Sequence, residues 1–277
     1  MATAAAAAAT EGGATHIVKD YGQASYWDRR YEEEVGLNKF EWYQSYDSLQ
    51  PILEKHLGQD GHVLQVGVGT SELQAELITR SLFKGSFVNT DISAVAVAHM
   101  QQLHAGWPQL TYQVADAKHM PEFADASFDT VIDKGTLDAI RCGPTADEDS
   151  AAMMLELYRV LRPGGVMMMI TYGPPFVRLP WMLLPGMDWD LQLCGGVITY
   201  GPPFVRLPWM LLPGMDWDLQ VYMLGNVDGE PSLGHFPTLT PGIRGPIAAQ
   251  DLAPPPDVQD WNKLHFVYVA TKAAAAQ

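Results

Sequence analysis

Between residues 62 and 173 the sequence alternates short apolar runs with segments whose apolar residues recur at helical spacing. The runs are HVLQVGVG (62–69), SFVNTDIS (86–93), LTYQVADA (110–117), FDTVIDKGT (128–136) and VMMMITYG (166–173). Helical patterns fill the connections, as in TSELQAELITRSLF, where Ser71 is the expected N-cap, and in 149–161. This alternation predicts an α/β fold with a parallel, doubly wound sheet and right-handed crossovers.

The flanking regions follow different patterns. Residues 20–57 predict a lid-like aromatic region followed by a helix with apolar positions from Tyr46 to Leu57. Two further strands, DLQVYMLG (218–225) and LHFVYVAT (264–271), have no helix between them, so they should pair as an antiparallel hairpin. Their connection over 226–260 is rich in Pro and Gly and is expected to be a long insertion.

One segment occurs twice. ITYGPPFVRLPWMLLPGMDWDLQ occupies 170–192 and returns letter for letter at 198–220. A solenoid needs about three or more similar, diverged units, so two identical copies indicate a recent exon-scale duplication or an error in the gene model. We expect one copy to be surplus to the fold. The first should supply the fifth strand, because VMMMITY is a full buried strand and VITY is short; PWMLLPGMDW should be a covering loop.

Net charge and composition disfavour some classes of function. The formal charge is −15, which disfavours a nucleic-acid partner and suits a basic protein or a neutral small molecule. Two cysteines indicate a reducing compartment without a structural metal, and we expect no membrane span. The opening MATAAAAAATEGGAT has no basic n-region. The expected organisation is a disordered tail (1–19), a single domain (20–271) and a C-terminal tail (272–277), in the cytoplasm.

The first turn of a doubly wound sheet usually contacts the ligand, and Gly67 and Gly69 occupy that turn. A dinucleotide fingerprint has a third glycine where this chain has Glu72, so a dinucleotide is disfavoured. Asp91 lies 22 residues after Gly69, at the end of the second strand, where a carboxylate can bind ribose hydroxyls.

Acidic residues end the next two strands as well. Asp116 could accept from an adenine amine, and Asp133 ends the fourth strand. Singly, each is more typical of a turn or cap. Three acids at consecutive strand ends after a Gly-x-Gly turn favour a binding site.

These motifs carry a resemblance. VLQVGVGTSEL, NTDIS, DKGTLDA (133–139), YWDRRY (26–31) and FEWY (40–43) resemble class I S-adenosylmethionine-dependent methyltransferases. More narrowly, they resemble the family of methyltransferase-like protein thirteen and the elongation factor 1-alpha lysine methyltransferases. The resemblance covers roughly 20–173 and the two closing strands. It implies a Rossmann-like, seven-stranded, mainly parallel sheet with an antiparallel last strand. It also implies a cofactor site for S-adenosylmethionine built from Trp27, Tyr31, Trp42, Gly67, Gly69, Asp91, Ile92, Asp116, Ala117, Asp133 and Lys134.

The implied reaction is methyl transfer to a protein lysine or N-terminal amine, with elongation factor 1-alpha as a candidate partner. Asp133, Asp138 and Tyr172 are the candidates for orienting the amine. The chain departs from the family at TYGPPFVR (171–178), after the fifth strand. Two alternatives therefore stay open: methylation of a small metabolite, and an inactive cofactor-binding module.

Overall fold

The computed structural model describes residues 21–34, 40–173, 175–182, 184, 187, 189–190, 219–225 and 264–272. The helices are α1 (Ala24–Glu34), α2 (Tyr46–His56), α3 (Leu73–Arg80), α4 (Ala94–Leu103), α5 (Thr136–Ile140), α6 (Ala146–Val160) and α7 (Pro175–Met182). The strands are β1 (His62–Val66), β2 (Ser86–Asp91), β3 (Leu110–Val114), β4 (Phe128–Lys134), β5 (Leu161–Thr171), β6 (Trp189–Asp190), β7 (Leu219–Gly225) and β8 (Leu264–Lys272).

One mixed sheet has the order β3-β2-β1-β4-β5-β8-β6, and β7 also pairs with β8. Strands β1 to β5 pair in parallel, whereas β8 is antiparallel to β5 and to β7. Because β6 and β7 lie along the same edge of β8, the eight strands make a sheet seven strands wide. The predicted doubly wound α/β fold and the closing antiparallel pair are confirmed.

The sheet separates two hydrophobic clusters, and β5 contributes to both. Met167 and Met169 pack in the cluster that contains α6, whereas Met168 and Ile170 pack in the cluster that contains α2. Successive side chains of a strand point to opposite faces, so a strand covered on both sides must be apolar throughout. The helices thereby bury the central strands and leave the carboxyl ends of β1 to β5 at one edge.

Some boundaries differ from the sequence prediction. Helix α6 begins at Ala146, three residues before the predicted start, because three consecutive acids fit the positive end of the helix dipole. The N-cap position of α3 is Glu72, one residue after the predicted Ser71. The Ser71 hydroxyl oxygen still accepts from the backbone N–H of Leu73 at 3.3 Å, and the hydroxyl donates to Glu41. The predicted covering loop begins inside helix α7, where Met182 is buried.

The C-terminal boundary also differs. Strand β8 continues to Lys272, the first residue of the predicted tail. The ammonium of this lysine donates to the carbonyl oxygens of Tyr158 and Leu161, each at 2.8 Å, which ties the strand end to α6 and β5. The predicted tail 1–19 and the insertion 226–260 lie outside the described residues, as does most of the second repeat copy.

The first repeat copy supplies the end of β5, as predicted. Counted back from the shared Ile-Thr-Tyr, the second copy has Gly195 and Gly196 where the first has Met167 and Met168, both of them buried. Burying a methionine side chain contributes about 1.5–3 kcal/mol, so the first copy is favoured by roughly 3–6 kcal/mol.

The two copies meet at the edge of β8. Asp190, in the first copy, pairs with Thr271, and Leu219, in the second, pairs with the next residue of β8, Ala270. Consecutive residues of β8 therefore pair with the two repeat copies, although 28 residues (191–218) separate Asp190 from Leu219. That number equals the repeat period, so β6 and β7 occupy the register of one uninterrupted strand.

Within the described ranges, no helix combines the length and the apolarity needed to cross a bilayer.

Candidate functional site

A cavity of about 470 Å³ lies at the carboxyl ends of the parallel strands, a size typical of small-molecule sites. Most of the residues that the sequence assigned to the site line it together: Trp27, Tyr31, Trp42, Gly67, Asp91, Ile92, Asp116, Ala117, Lys134, Asp138 and Tyr172. Two assigned residues, Gly69 and Asp133, are not among its lining residues. The strand ends and the N-terminal segment thus converge on one cavity.

The turn after β1 places backbone against the cavity. Gly67 and Gly69 have φ values of +56° and +54°, a region that side-chain-bearing residues rarely adopt. A Cβ on Gly69 would lie 2.5 Å from the hydroxyl oxygen of Tyr31, and a Cβ on Gly67 would lie 2.0 Å from Oγ1 of Thr136. Both glycines are needed because two other segments pack directly on the turn.

Asp91 ends β2 and faces the cavity from a buried position. Its carboxylate accepts from the backbone N–H groups of Gly69 at 2.8 Å and Ser93 at 2.9 Å. Burial raises the pKa of Asp91 to about 6. Ser93 also donates its hydroxyl to Asp28 of α1 at 2.6 Å, which fixes α1 over this strand end. Sequence reasoning missed Asp28, although YWDRRY contains it.

Aromatic side chains form the cavity wall that the N-terminal segment supplies. The rings of Trp27 and Tyr31 stack with centroids 5.9 Å apart, and Trp42 meets Trp27 edge-on at 6.3 Å. The Trp27 indole N–H donates to the carbonyl of Tyr21 at 2.7 Å, which fixes its ring. Aromatic faces attract cations, and the Arg30 guanidinium of α1 lies over the rings of Trp27 and Trp42, 6.0 and 5.3 Å from their centroids.

An ion pair joins that wall to β4. The Lys134 ammonium donates to Oε2 of Glu41 at 2.8 Å and to the Trp42 carbonyl at 3.3 Å, and both charged side chains are largely buried. Glu41 also accepts from the hydroxyl of Ser71 and from the backbone N–H of Glu72. Sequence reasoning assigned Lys134 to the cofactor and missed Glu41. In the structure, this pair holds the aromatic segment against the first turn.

The three candidates for orienting an amine occupy different positions. Asp133 is fully buried, and its Oδ1 accepts from the N–H groups that begin α5, at 2.8 Å from Thr136. Burial, and then the nearby Asp138 carboxylate, raise the pKa of Asp133 to about 7. Asp138 and Tyr172 line the cavity, and Tyr172 is 42% exposed. Asp133 therefore lies behind the cavity surface, and Asp138 lies on it.

Two more cavity residues escaped the sequence analysis. Arg178 of α7 donates from Nη2 to Oδ1 of Asp138 at 2.5 Å. Tyr43 has a φ of +64°, unusual for a bulky residue, and its ring packs 4.8 Å from that of His265 on β8. Burial raises the pKa of Tyr43, so its hydroxyl stays protonated at neutral pH. Both residues lie in motifs noted above, TYGPPFVR and FEWY, but nothing in their spacing reveals their partners.

The lining residues of the cavity fit the chemistry of S-adenosylmethionine. Asp91 presents a buried carboxylate that can accept from ribose hydroxyls, and the Gly67 turn lets a ligand approach the backbone. Asp116 and Ala117, which the resemblance assigns to the adenine, also line the cavity. In the described part of the chain, no three His, Cys, Asp or Glu side chains form a metal-binding cluster.

Comparison with known proteins defines the family. A family model for a methyltransferase domain matches residues 64–169. EEF1A lysine methyltransferase 4 of Mus musculus is 33% identical over 187 residues, which cover 62% of this chain and 69% of that protein. The chain belongs to this methyltransferase family.

Other family members share similar segments. The human mitochondrial citrate synthase-lysine N-methyltransferase is 33% identical over 189 residues, 60% of this chain and 77% of that protein. The human eEF1A lysine and N-terminal methyltransferase is 36% identical over 153 residues, but these cover only 21% of that larger protein and 53% of this chain. The methyltransferase described here is thus an enzyme that uses S-adenosylmethionine, whose sulfonium supplies an activated methyl group.

Proposed function

We propose that this methyltransferase transfers the methyl group to an amine of a protein, with a lysine side chain as the first candidate and an N-terminal amine as the second. The names of the relatives support this class: two are lysine methyltransferases, and one is named for both lysine and N-terminal methylation. Elongation factor 1-alpha is the acceptor to test first, because two of those names contain it.

The observation that carries the proposal is the Asp138 carboxylate on the cavity surface. Its Oδ2 is buried and has no hydrogen-bond partner among the described residues. A buried carboxylate oxygen without a donor is costly, and an incoming ammonium or amine N–H would satisfy it. Tyr172, Val177 and Cys142 line the same cavity, so an apolar lysine stem could reach Asp138 beside them.

The chemistry that remains for the protein is alignment and proton removal. A lysine ammonium has a pKa of about 10.4 in water and must lose a proton before its nitrogen can attack. Asp138 can hold the cation and direct its lone pair once the proton leaves. Asp133, whose pKa burial and the Asp138 carboxylate raise to about 7, is a candidate to share that proton. The charge of −15 should also speed encounter with a basic protein surface.

The test is methyl transfer from labelled S-adenosylmethionine to unmethylated elongation factor 1-alpha, with citrate synthase and a small-metabolite extract assayed in parallel. We expect label on protein, mapped by mass spectrometry to a lysine or an N-terminal residue. Asp91→Ala serves as the control that should weaken cofactor binding. Label only in the small-metabolite fraction would instead support a metabolite methyltransferase. Cofactor binding without transfer to any acceptor would support the inactive module.

We also propose that the enzyme works in the cytoplasm. Its cysteine content supports a reducing compartment, and Cys142 is a free thiol. Because one relative is named as mitochondrial, imaging of the tagged full chain beside markers of both compartments is the appropriate test. A mitochondrial signal would overturn this assignment.

A further inference from the structure

Arg178 reaches the cavity from α7, the helix that follows β5. Its side chain is only 5% exposed. Nε donates to Oγ1 of Thr171 at 2.9 Å, and Nη2 donates to Oδ1 of Asp138 at 2.5 Å. Two contacts therefore fix the guanidinium between the end of β5 and the helix α5 that carries Asp138.

In this ion pair, each side chain uses only part of its hydrogen-bonding capacity. Oδ2 of Asp138 and Nη1 of Arg178 are buried and have no hydrogen-bond partner among the described residues, although both residues line the cavity. Buried ion pairs usually need further hydrogen bonds to offset desolvation, and an apolar side chain of similar volume often serves stability as well. An incomplete pair at a cavity surface therefore points to a ligand-directed role.

Several titratable side chains surround Asp138. Asp133 on β4 faces it, as do Tyr43 ahead of α2 and two residues of β8, His265 and Tyr268. Cys142, four residues after Asp138, donates its thiol proton to the Asp138 carbonyl oxygen. Of these groups, Asp133 would carry a like charge. Two adjacent buried carboxylates tend to share one proton unless a cation stabilises both negative charges.

We propose that Arg178 is a positioning residue that holds the Asp138 carboxylate in place and leaves its second oxygen for the acceptor amine. The inference rests on the proposed transfer to an amine. By occupying Oδ1, the guanidinium leaves Oδ2 as the acceptor for an N–H of the substrate.

The test compares Arg178→Met and Arg178→Lys with the unaltered full chain. Because the second repeat copy has Arg206 at the equivalent position, Arg206→Met is added to each variant and is also made alone. We expect Arg178→Met to lower kcat by up to about 100-fold, the cost of displacing a reacting group by about 1 Å. The S-adenosylmethionine Kd should stay within threefold. Arg178→Lys should recover most of kcat.

Two controls separate this role from a structural one. Arg80→Met removes an arginine–aspartate ion pair on the surface and should leave kcat unchanged. In an Asp138→Asn background, Arg178→Met should cost no further activity, because the group it positions is gone. Equal losses of kcat in Arg178→Lys and Arg178→Met would overturn the proposal, as would a full additional loss in the Asp138→Asn background. If the unaltered chain methylates no amine, the proposed function fails before any variant is compared.

Discussion

Removing residues 191–218 should leave the fold intact and make the protein more stable. The deletion joins Asp190 to Leu219, whose partners Thr271 and Ala270 are already neighbours on β8. Because the repeat copies are identical, the product reads WDLQVYMLG across the junction and carries one complete copy. No strand of the sheet has to shift its register.

The gain can be calculated from loop-closure entropy. Closing a flexible loop of n residues costs about (3/2)RT ln n, which for the 28 residues between Asp190 and Leu219 is about 3 kcal/mol. A gain of that size corresponds to a rise in Tm of roughly 6–12 °C for a domain of this length. Urea unfolding followed by tryptophan fluorescence measures the free energy of unfolding, and titration with S-adenosylmethionine tests the site.

A length-matched control isolates the cause. Replacing 191–218 with a Gly/Ser segment of 28 residues keeps the number of residues between Asp190 and Leu219 and removes the repeat sequence, so its stability should stay within about 1 kcal/mol of the parent chain. A shortened chain that is less stable than the parent, or that loses cofactor affinity, would refute the register argument. So would a Gly/Ser variant as stable as the shortened chain.

Three further outcomes are expected. Lys134→Met leaves the largely buried Glu41 carboxylate without its cation, so urea unfolding should show a loss of about 3–5 kcal/mol, and Glu41→Gln should cost less. Affinity for S-adenosylmethionine, measured by calorimetry, should be full above pH 7 and fall as the pH drops through 6, because the ionised Asp91 is the better acceptor. The fall in affinity should approach about tenfold per pH unit. Asp91→Asn should weaken binding and abolish the pH dependence. Trp27→Ala removes an aromatic face from the cavity and should weaken cofactor binding about tenfold at 25 °C, whereas Leu82→Ala on the surface should not.

Elements with a strong local pattern were predictable from the sequence. Strands β1 to β5 are apolar runs bounded by turn residues, and the pairing of β7 with β8 follows from the lack of a helix between them. Short elements were missed: α5 has only 5 residues and β6 only 2, too few for any periodicity to appear. Their positions depend on tertiary contacts, such as the cap that Asp133 gives to α5.

The cavity was predictable to a similar degree. Carboxylates at strand ends could be placed because the carboxyl ends of parallel strands share one edge of a sheet. Pairings between distant segments could not: Lys134 and Glu41 are 93 residues apart, and Arg178 and Asp138 are 40 apart. No spacing rule connects such positions, because only the folded chain brings them together.

The ion pair between Glu41 and Lys134 joins a segment outside the matched methyltransferase domain to a strand inside it. The matched methyltransferase domain, 64–169, contains Asp91, Asp116 and Lys134, which belong to the cofactor half of the cavity. Glu41 with its aromatic neighbours, and Arg178 on the acceptor side, lie outside that span. The cofactor half of the cavity thus depends on segments on both sides of that span, one for its closing wall and the other for its acceptor-facing charge.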